Sequence, residues 1–318
     1  MSEPASRHLT AAAGHALAPA GSPLRLFWRR FKAHRLAFGS LLILIMLALA
    51  ALAAPLIEAW TPLSATRVDL LGRHAPPSLA HPLGTDELGR DLMLRLLYGG
   101  QVSLGVGLAA AMISSVIGTV IGLLAGYFGG RFDALLMRLT DGVIALPLLP
   151  LLIVLAAIDL SKLGLEAGGG DVASLYRIVG LIALVGWTTV ARLVRAATLS
   201  MKTREFVTAA HALGAGNLRI MGVHLLPNVA SPVIVATTLS IGNVVLLESV
   251  LSFLGLGIQP PMASWGNMLT NAQELIYTAP MLAVWPGLLI FITVMAFNFA
   301  GDGLQDALDP RSDANRTQ

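Results

Sequence analysis

Long apolar runs without charge are the feature of this sequence that most constrains its fold. The first, from Leu36 to Ile57, holds 22 residues and no ionisable side chain. A helix of about 20 apolar residues, rising about 1.5 Å each, crosses a hydrocarbon core of about 30 Å. Only 12% of the 318 residues are charged, whereas soluble domains carry about 25%. The sequence therefore excludes an ordinary soluble domain and predicts an all-α, polytopic membrane protein.

Six membrane-spanning helices are predicted. The fourth is the weakest, because only 14 residues separate Arg177 from Arg192, and the arginines at its end must reach toward the interface. The first is too long for a signal peptide, whose apolar region has about 7–15 residues, and is expected to stay uncleaved. The predicted spans are approximately 36–57, 102–127, 134–158, 178–191, 230–253 and 281–300.

The distribution of lysine and arginine predicts the topology. With the amino terminus in the cytoplasm, 15 of the 21 lie inside and six outside, as the positive-inside rule requires. Both termini are therefore predicted to be cytoplasmic. The predicted organisation is a cytoplasmic tail over 1–35 with 1–24 disordered, a first transmembrane helix over 36–57, an extracytoplasmic loop over 58–100, a five-helix core over 101–301 that carries a cytoplasmic hairpin at 203–228, and a cytoplasmic tail over 302–318.

Small residues and prolines inside the spans predict close, bent helices. Gly118, Gly122, Gly126 and Gly130 recur every four residues, so they share one face where another backbone can approach. Prolines within spans three, five and six are expected to kink those helices. Bent spans suit a protein that moves or lines a cavity, although static membrane proteins contain them as well.

The segment 203–228 is too polar for lipid and too patterned for random coil. Thr203 is a plausible N-cap, and Phe206, Ala209, Ala210 and Leu213 follow at helical spacing. Gly214 is expected to end this first short helix. A second short helix is expected to start at Leu218 and to stop near Leu226-Pro227. Such a hairpin suits a groove on a soluble partner, with an amphipathic hairpin on the bilayer as the alternative and a DNA reader disfavoured.

Two acidic residues within predicted spans are candidates for a solute path. Glu248 lies in an apolar stretch, where a carboxyl group is costly and functional by default; the alternative is a hydrogen-bonded or solvated group near the outer interface. Asp141 follows Arg138 by three residues, which favours a local ion pair over a role in the path.

Chemical motifs are missing from the chain. It has no cysteine, and none of its three lysines follows a glycine, so no P-loop is present. The seven histidines show no ligand spacing. Neither a catalytic residue, nor a metal site, nor a cofactor is predicted.

The hairpin resembles the coupling loop of bacterial ABC importer permeases, the EAA loop. That pattern has Glu-Ala-Ala, three residues and a glycine, and then Leu-Pro some twelve residues on. The spacing matches here, but Thr208 stands where the pattern has glutamate. The residues to which the resemblance gives a role in ATPase coupling are Glu205, Thr208, Ala209, Ala210, Gly214, Leu226 and Pro227.

Three further stretches resemble the second permease subunit of the peptide and nickel branch of these importers. They are the run from His81 to Asp91, the run from Glu248 to Gly257 followed by Trp265-Gly266-Asn267, and the tail from Gly301 to Pro310. With the hairpin, the resemblance covers about residues 25–312.

This resemblance implies a type I ABC importer permease fold with six spans, in the bacterial inner membrane. It implies four kinds of partner: a homologous second permease subunit, two separate ATPase subunits, an extracytoplasmic solute-binding protein and membrane lipid. Nucleic acid is not among them. The expected function is import of peptides or related solutes by alternating access, driven by the ATPases. The alternatives are a stand-alone secondary transporter or channel, and a structural scaffold.

Overall fold

The computed structural model describes residues 23–158 and 171–308, and every regular element in these ranges is helical. The predicted tail over 1–24 and the end of the predicted tail over 302–318 lie largely outside the described residues. The helices are α1 Pro23–Ala33, α2 Arg35–Leu52, α3 Ala54–Trp60, α4 Leu92–Phe128, α5 Gly130–Ala145, α6 Leu148–Ala157, α7 Asp171–Met201, α8 Glu205–Ala212, α9 Asn217–Arg219, α10 Leu226–Phe253, α11 Ala272–Leu275 and α12 Met281–Leu308.

Five helical stretches are long and apolar enough to cross a membrane, and a sixth crossing is obtained if α5 and α6 form one span. These two helices meet at 85°, so the predicted third span over 134–158 is broken, and the kink that its prolines predict is confirmed. The break falls at Leu146-Pro147, where Leu146 is extended (φ −78°, ψ 137°). A residue before proline avoids the helical region, which explains the position of the bend.

The helix that forms the fourth span is longer than the charge-free run of 14 residues between Arg177 and Arg192. The helix α7 runs from Asp171 to Met201 and keeps both Arg192 and Arg195 within it. The second span also begins earlier than expected, because Asp91 caps α4 by accepting a hydrogen bond from the Leu94 N–H at 2.8 Å.

The glycine face of α4 packs against α7. A Cβ at Gly118 or Gly122 would lie 2.5 Å from a backbone carbonyl oxygen of α7, and one at Gly126 would lie 2.7 Å from Thr198 Cβ. These contacts progress along both helices in the same direction, so α4 and α7 run parallel. The predicted close packing is confirmed for these three glycines. Gly130 differs, because it begins α5 at φ +58° with open space around it.

Both ends of the described chain lie at the same end of the bundle. The helix α10 runs antiparallel to α4, with Thr237 Oγ1 donating to Ser115 Oγ at 2.6 Å. Gly301 of α12 then meets Leu239, and Gly303 meets Ala37 near the start of α2. The hairpin 203–228 lies at this end too, which is called the hairpin side. The opposite end carries segments 58–91 and 254–280 and is called the loop side.

Candidate functional site

The first half of the hairpin is the helix α8. Its N-cap position is Arg204, not Thr203, and the Thr203 hydroxyl instead bonds back to the Ser200 carbonyl at 3.4 Å. The prediction of a Thr203 cap is therefore wrong. The Thr203 side chain is directed back to the preceding turn, and no side-chain hydrogen bond caps α8.

Gly214 ends α8 as predicted. It adopts φ +82°, a conformation that glycine adopts without steric cost. The Gly214 N–H donates to the His211 carbonyl at 2.9 Å, and the Ala215 N–H donates to the Ala210 carbonyl at 3.0 Å. This pair of bonds is the Schellman arrangement, and it fixes the direction in which the chain leaves the helix.

The second half of the hairpin does not stop at Leu226-Pro227. After α9, a π-helical turn spans Ile220–Leu225 and continues directly into α10. The Leu226 N–H bonds to the Met221 carbonyl, five residues back. Pro227, which has no N–H to donate, follows this wider turn at the second position of α10. The expected stop is thus wrong, and the hairpin is rigidly joined to a membrane helix.

The hairpin has one face on the bundle and one in the open. Its buried side chains pack with Leu123, Val190 and Val194 of α4 and α7. Ala210 belongs to this buried face, with 7% of its surface exposed. The other predicted coupling residues are exposed; they are Glu205, Thr208, Ala209, Gly214, Leu226 and Pro227.

Two exposed leucines at the tip of the hairpin are not among the residues predicted for ATPase coupling. Leu213 is 88% exposed and Leu218 is 83% exposed, on either side of the Gly214 turn. The spacing predicted Leu213 and Phe206 on one apolar face of a short helix, and both are exposed, Phe206 to 42%. The helix α8 ends at Ala212, so Leu213 lies just beyond it. The signal available in the sequence was a leucine on each side of a glycine-rich turn.

Polar contacts fasten the hairpin to the end of α4. The Tyr127 hydroxyl donates to Asn217 Oδ1 at 2.8 Å and lies 3.3 Å from His211 Nε2. The Tyr127 and His211 rings also stack, with centroids 6.3 Å apart. Nearby, Lys202 Nζ donates to the Gly126 carbonyl at 2.9 Å. These contacts connect the hairpin to α4, in addition to its chain connections to α7 and α10.

We expect Tyr127→Phe to loosen this attachment while leaving the ring stack in place. A lost hydrogen bond of this kind is worth about 1 kcal/mol net, so proteolysis within 203–228 should become several-fold faster. Tyr277→Phe is the matched control, because Tyr277 is 92% exposed on the loop side. Equal cleavage rates in the two variants would show that the hydroxyl does not hold the hairpin.

Two ion pairs join the broken span to α7. Asp133 accepts from Arg195 in bidentate fashion, at 2.5 and 2.6 Å. Asp141 pairs with Arg192, and both side chains are more than half exposed. The expected pair between Asp141 and Arg138 is wrong. The Asp141 carboxylate instead pairs with the guanidinium of Arg192 on α7, which lies 51 residues further along the chain.

Glu248 is fully buried, and its carboxyl group is hydrogen-bonded on both oxygens. Ser103 Oγ donates to it at 3.0 Å and Ser252 Oγ at 2.7 Å. The same hydroxyls accept the backbone N–H groups of Trp265 and Ile258 at 3.1 and 3.0 Å. Because Glu248 is 0% exposed, this conformation favours the hydrogen-bonded alternative over contact with a solute. Glu248 thus links α4 and α10 to the loop 254–280.

The motif from His81 to Asp91 folds tightly above the start of α4. Asp86 accepts from Arg90 at 2.7 Å and lies 3.1 Å from Arg95, while His81 contacts Asp91 at 3.0 Å. At Gly89, φ is +75° and a Cβ would lie 1.8 Å from a backbone oxygen, so only glycine fits. The loop side therefore presents an ordered surface.

Glu58 ties the first loop to α4. Burial favours its neutral form, but hydrogen bonds from Tyr98, Ala65 and Ser64 prevail and hold the pKa of Glu58 below its ordinary value. The Tyr98 hydroxyl lies only 2.6 Å from the carboxylate. Among the described residues, no three His, Asp or Glu side chains converge as metal ligands.

Comparison with protein families gives two matches. Residues 118–313 match the inner membrane component of binding-protein-dependent transport systems. Residues 22–77 match the N-terminal transmembrane domain of oligopeptide transport permease C.

Individual relatives align over almost the whole chain. A di/tripeptide transport system permease protein of Pseudomonas aeruginosa is 42% identical over 296 residues, covering 91% of this chain and 93% of its own. A dipeptide transport system permease protein of Bacillus subtilis is 40% identical over 285 residues, covering 89% and 84%. A glutathione transport system permease protein of Shigella flexneri is 40% identical over 290 residues, covering 91% of both chains.

Proposed function

Because this chain belongs to the family of inner membrane components of binding-protein-dependent transport systems, and is an ABC importer permease subunit, we propose that its solutes are short peptides. The observation that carries the proposal is the alignment of peptide permeases along nearly the full chain. The glutathione permease among the relatives extends the class to peptide-like compounds. Import of such solutes requires a path through the bundle and an energy source outside it.

The energy source is a pair of separate ATPase subunits that bind the exposed face of the hairpin. The tip leucines and the exposed coupling residues supply an apolar surface with a polar margin, which fits a groove on a soluble partner. The chain has no P-loop of its own, so ATP hydrolysis belongs to these partners. A second homologous permease subunit completes the membrane part, and a solute-binding protein docks on the loop side.

The hairpin side faces the cytoplasm in this proposal, with both termini of the chain inside and the protein in the bacterial inner membrane. The excess of lysine and arginine on this side supports the orientation. Segments 1–35 and 302–318 then form cytoplasmic tails, and the ordered loop that precedes α4 meets the binding protein outside. Closure of the ATPases on ATP moves the hairpin, and through Tyr127 and the π-turn it moves α4 and α10 between two conformations.

Purification of the protein from its native membrane tests this assembly. We expect two ATPases and a second permease to copurify, and the complex in liposomes to take up a labelled dipeptide only with ATP and the binding protein. A stand-alone transporter would instead purify as an active homo-oligomer and transport without ATP. That result would overturn the proposal.

We expect the double variant Leu213→Ser/Leu218→Ser to bind the ATPases at least tenfold more weakly. Burial of one leucine contributes about 1.5–3 kcal/mol, and about 1.4 kcal/mol changes affinity tenfold. The matched control is Leu71→Ser/Leu79→Ser, because these leucines are fully exposed on the loop side. If the two double variants retain the ATPases equally well, the tip leucines do not contribute to the interface.

A further inference from the structure

A strip of polar side chains among apolar ones lies where α7 and α10 flank the break between α5 and α6. Thr189, Ser240 and Asn243 line a cleft there, beside Ile144 and Leu146 of the broken span. Asn243 is exposed, and α10 continues for ten residues beyond it, about 15 Å at 1.5 Å per residue. Within 23–158 and 171–308, its amide has no hydrogen-bond partner. An amide at this depth is costly against lipid, so this face meets water or protein.

The ion pair of Asp141 with Arg192 continues the strip toward the hairpin side. On α7, Arg192 follows Thr189 by three residues, and on α5, Asp141 precedes Ile144 by three. Residues three apart share a helix face, so the pair lies one turn below the cleft. Both side chains are more than half exposed, about 15 Å from the hairpin-side ends of their helices. Charges at such depth face a water-filled cavity or an interior, not lipid.

The broken span points to the same face. Non-helical backbone within a membrane is tolerated where it lines a cavity or is buried in protein. The extended Leu146 at the 85° bend borders the cleft directly. An unpaired amide, an exposed ion pair and an interrupted helix therefore coincide on one side of the bundle.

We propose that this face lines the solute path, that the path accepts hydrogen-bonding solutes whatever their side-chain charge, and that the Asp141–Arg192 pair borders it on the hairpin side. The strip offers hydroxyl and amide groups that pair with a peptide backbone. The anion and the cation of the pair cancel each other, so the pair itself adds no net charge that would select solutes by charge. The ammonium and carboxylate of a zwitterionic peptide each match one partner of the pair. This inference rests on the proposed import of peptides.

Cysteine labelling tests the path, because the natural chain contains no cysteine. In the complete complex in liposomes, we expect a charged, membrane-impermeant methanethiosulfonate to modify Asn243→Cys at least tenfold faster than Leu108→Cys and to block dipeptide uptake. Leu108 is 53% exposed on α4, and its neighbour Gly107 abuts Val245, so it lies at the same depth. Equal labelling rates would overturn the inference. So would labelling of Asn243→Cys in the isolated chain only, because that result makes the face a subunit interface.

Asn243→Asp tests the solute class with a side chain of the same shape. An added anion in the path should lower uptake of Ala-Glu relative to Ala-Lys by about tenfold compared with the unaltered complex. The binding protein is the same in both assays, so its own selectivity cancels. An unchanged ratio would overturn the path assignment. Absence of dipeptide uptake by the unaltered complex would instead overturn the proposed function, which keeps the two failures distinct.

Discussion

Gly214→Pro should abolish transport while the ATPases continue to hydrolyse ATP. Gly214 holds φ +82° and donates its N–H to the His211 carbonyl. Proline fixes φ near −65° and has no N–H, so it can meet neither requirement. The turn after α8 must therefore take another path in the variant, and the lost bond alone costs about 1 kcal/mol. The peptide moved per ATP should therefore fall by more than tenfold.

The measurement is uptake and ATP hydrolysis in the same reconstituted sample, with loaded binding protein. Gly216→Ala is the matched control: it stands two residues away at φ −71° with open space around its Cα, and it should couple normally. A larger residue at Ala210 should also uncouple, because Ala210 is buried against the bundle. Normal transport by Gly214→Pro would show that the hairpin does not couple ATP hydrolysis to transport.

Local signals in the sequence predicted the parts of this molecule that depend on local physics. The charge-free runs located the membrane helices, and Gly214 was recognisable because a helix end needs a left-handed residue. The glycine spacing on α4 likewise identified the face that meets α7. These predictions need only a residue and its near neighbours along the chain.

Contacts between distant segments could not be predicted in this way. Tyr127 meets residues 84 and 90 positions away, and Asp141 meets Arg192 across 51. No repeating pattern in the sequence indicates such pairs. For Asp141 the prediction chose Arg138, the arginine nearer in sequence, and this was the wrong partner. The course of the chain through Pro227 also depended on a π-turn that only tertiary packing selects. The hairpin was located by its spacing, whereas the two leucines most exposed at its tip were not predicted as coupling residues.

Glu248→Leu should destabilise the loop side strongly. The carboxyl group accepts from Ser103 and Ser252, and each of these hydroxyls in turn holds a backbone N–H of the loop 254–280. Leucine fills similar space but leaves both hydroxyls without an acceptor at a fully buried position. Each hydroxyl left without an acceptor costs about 1–3 kcal/mol, so the two together should lower the stability by about 2–6 kcal/mol.

Thermal unfolding in detergent, together with limited proteolysis of 254–280, measures this effect. Glu274→Leu is the control, because Glu274 is an exposed carboxylate in the same loop, and it should unfold like the unaltered protein. Glu248→Gln should fall between them, since one amide oxygen remains to accept from a serine. Glu248→Leu and the Glu274 control could also show the same unfolding temperature and cleavage pattern. That result would show that other contacts hold the loop, and Glu248 would again be a candidate for the solute path.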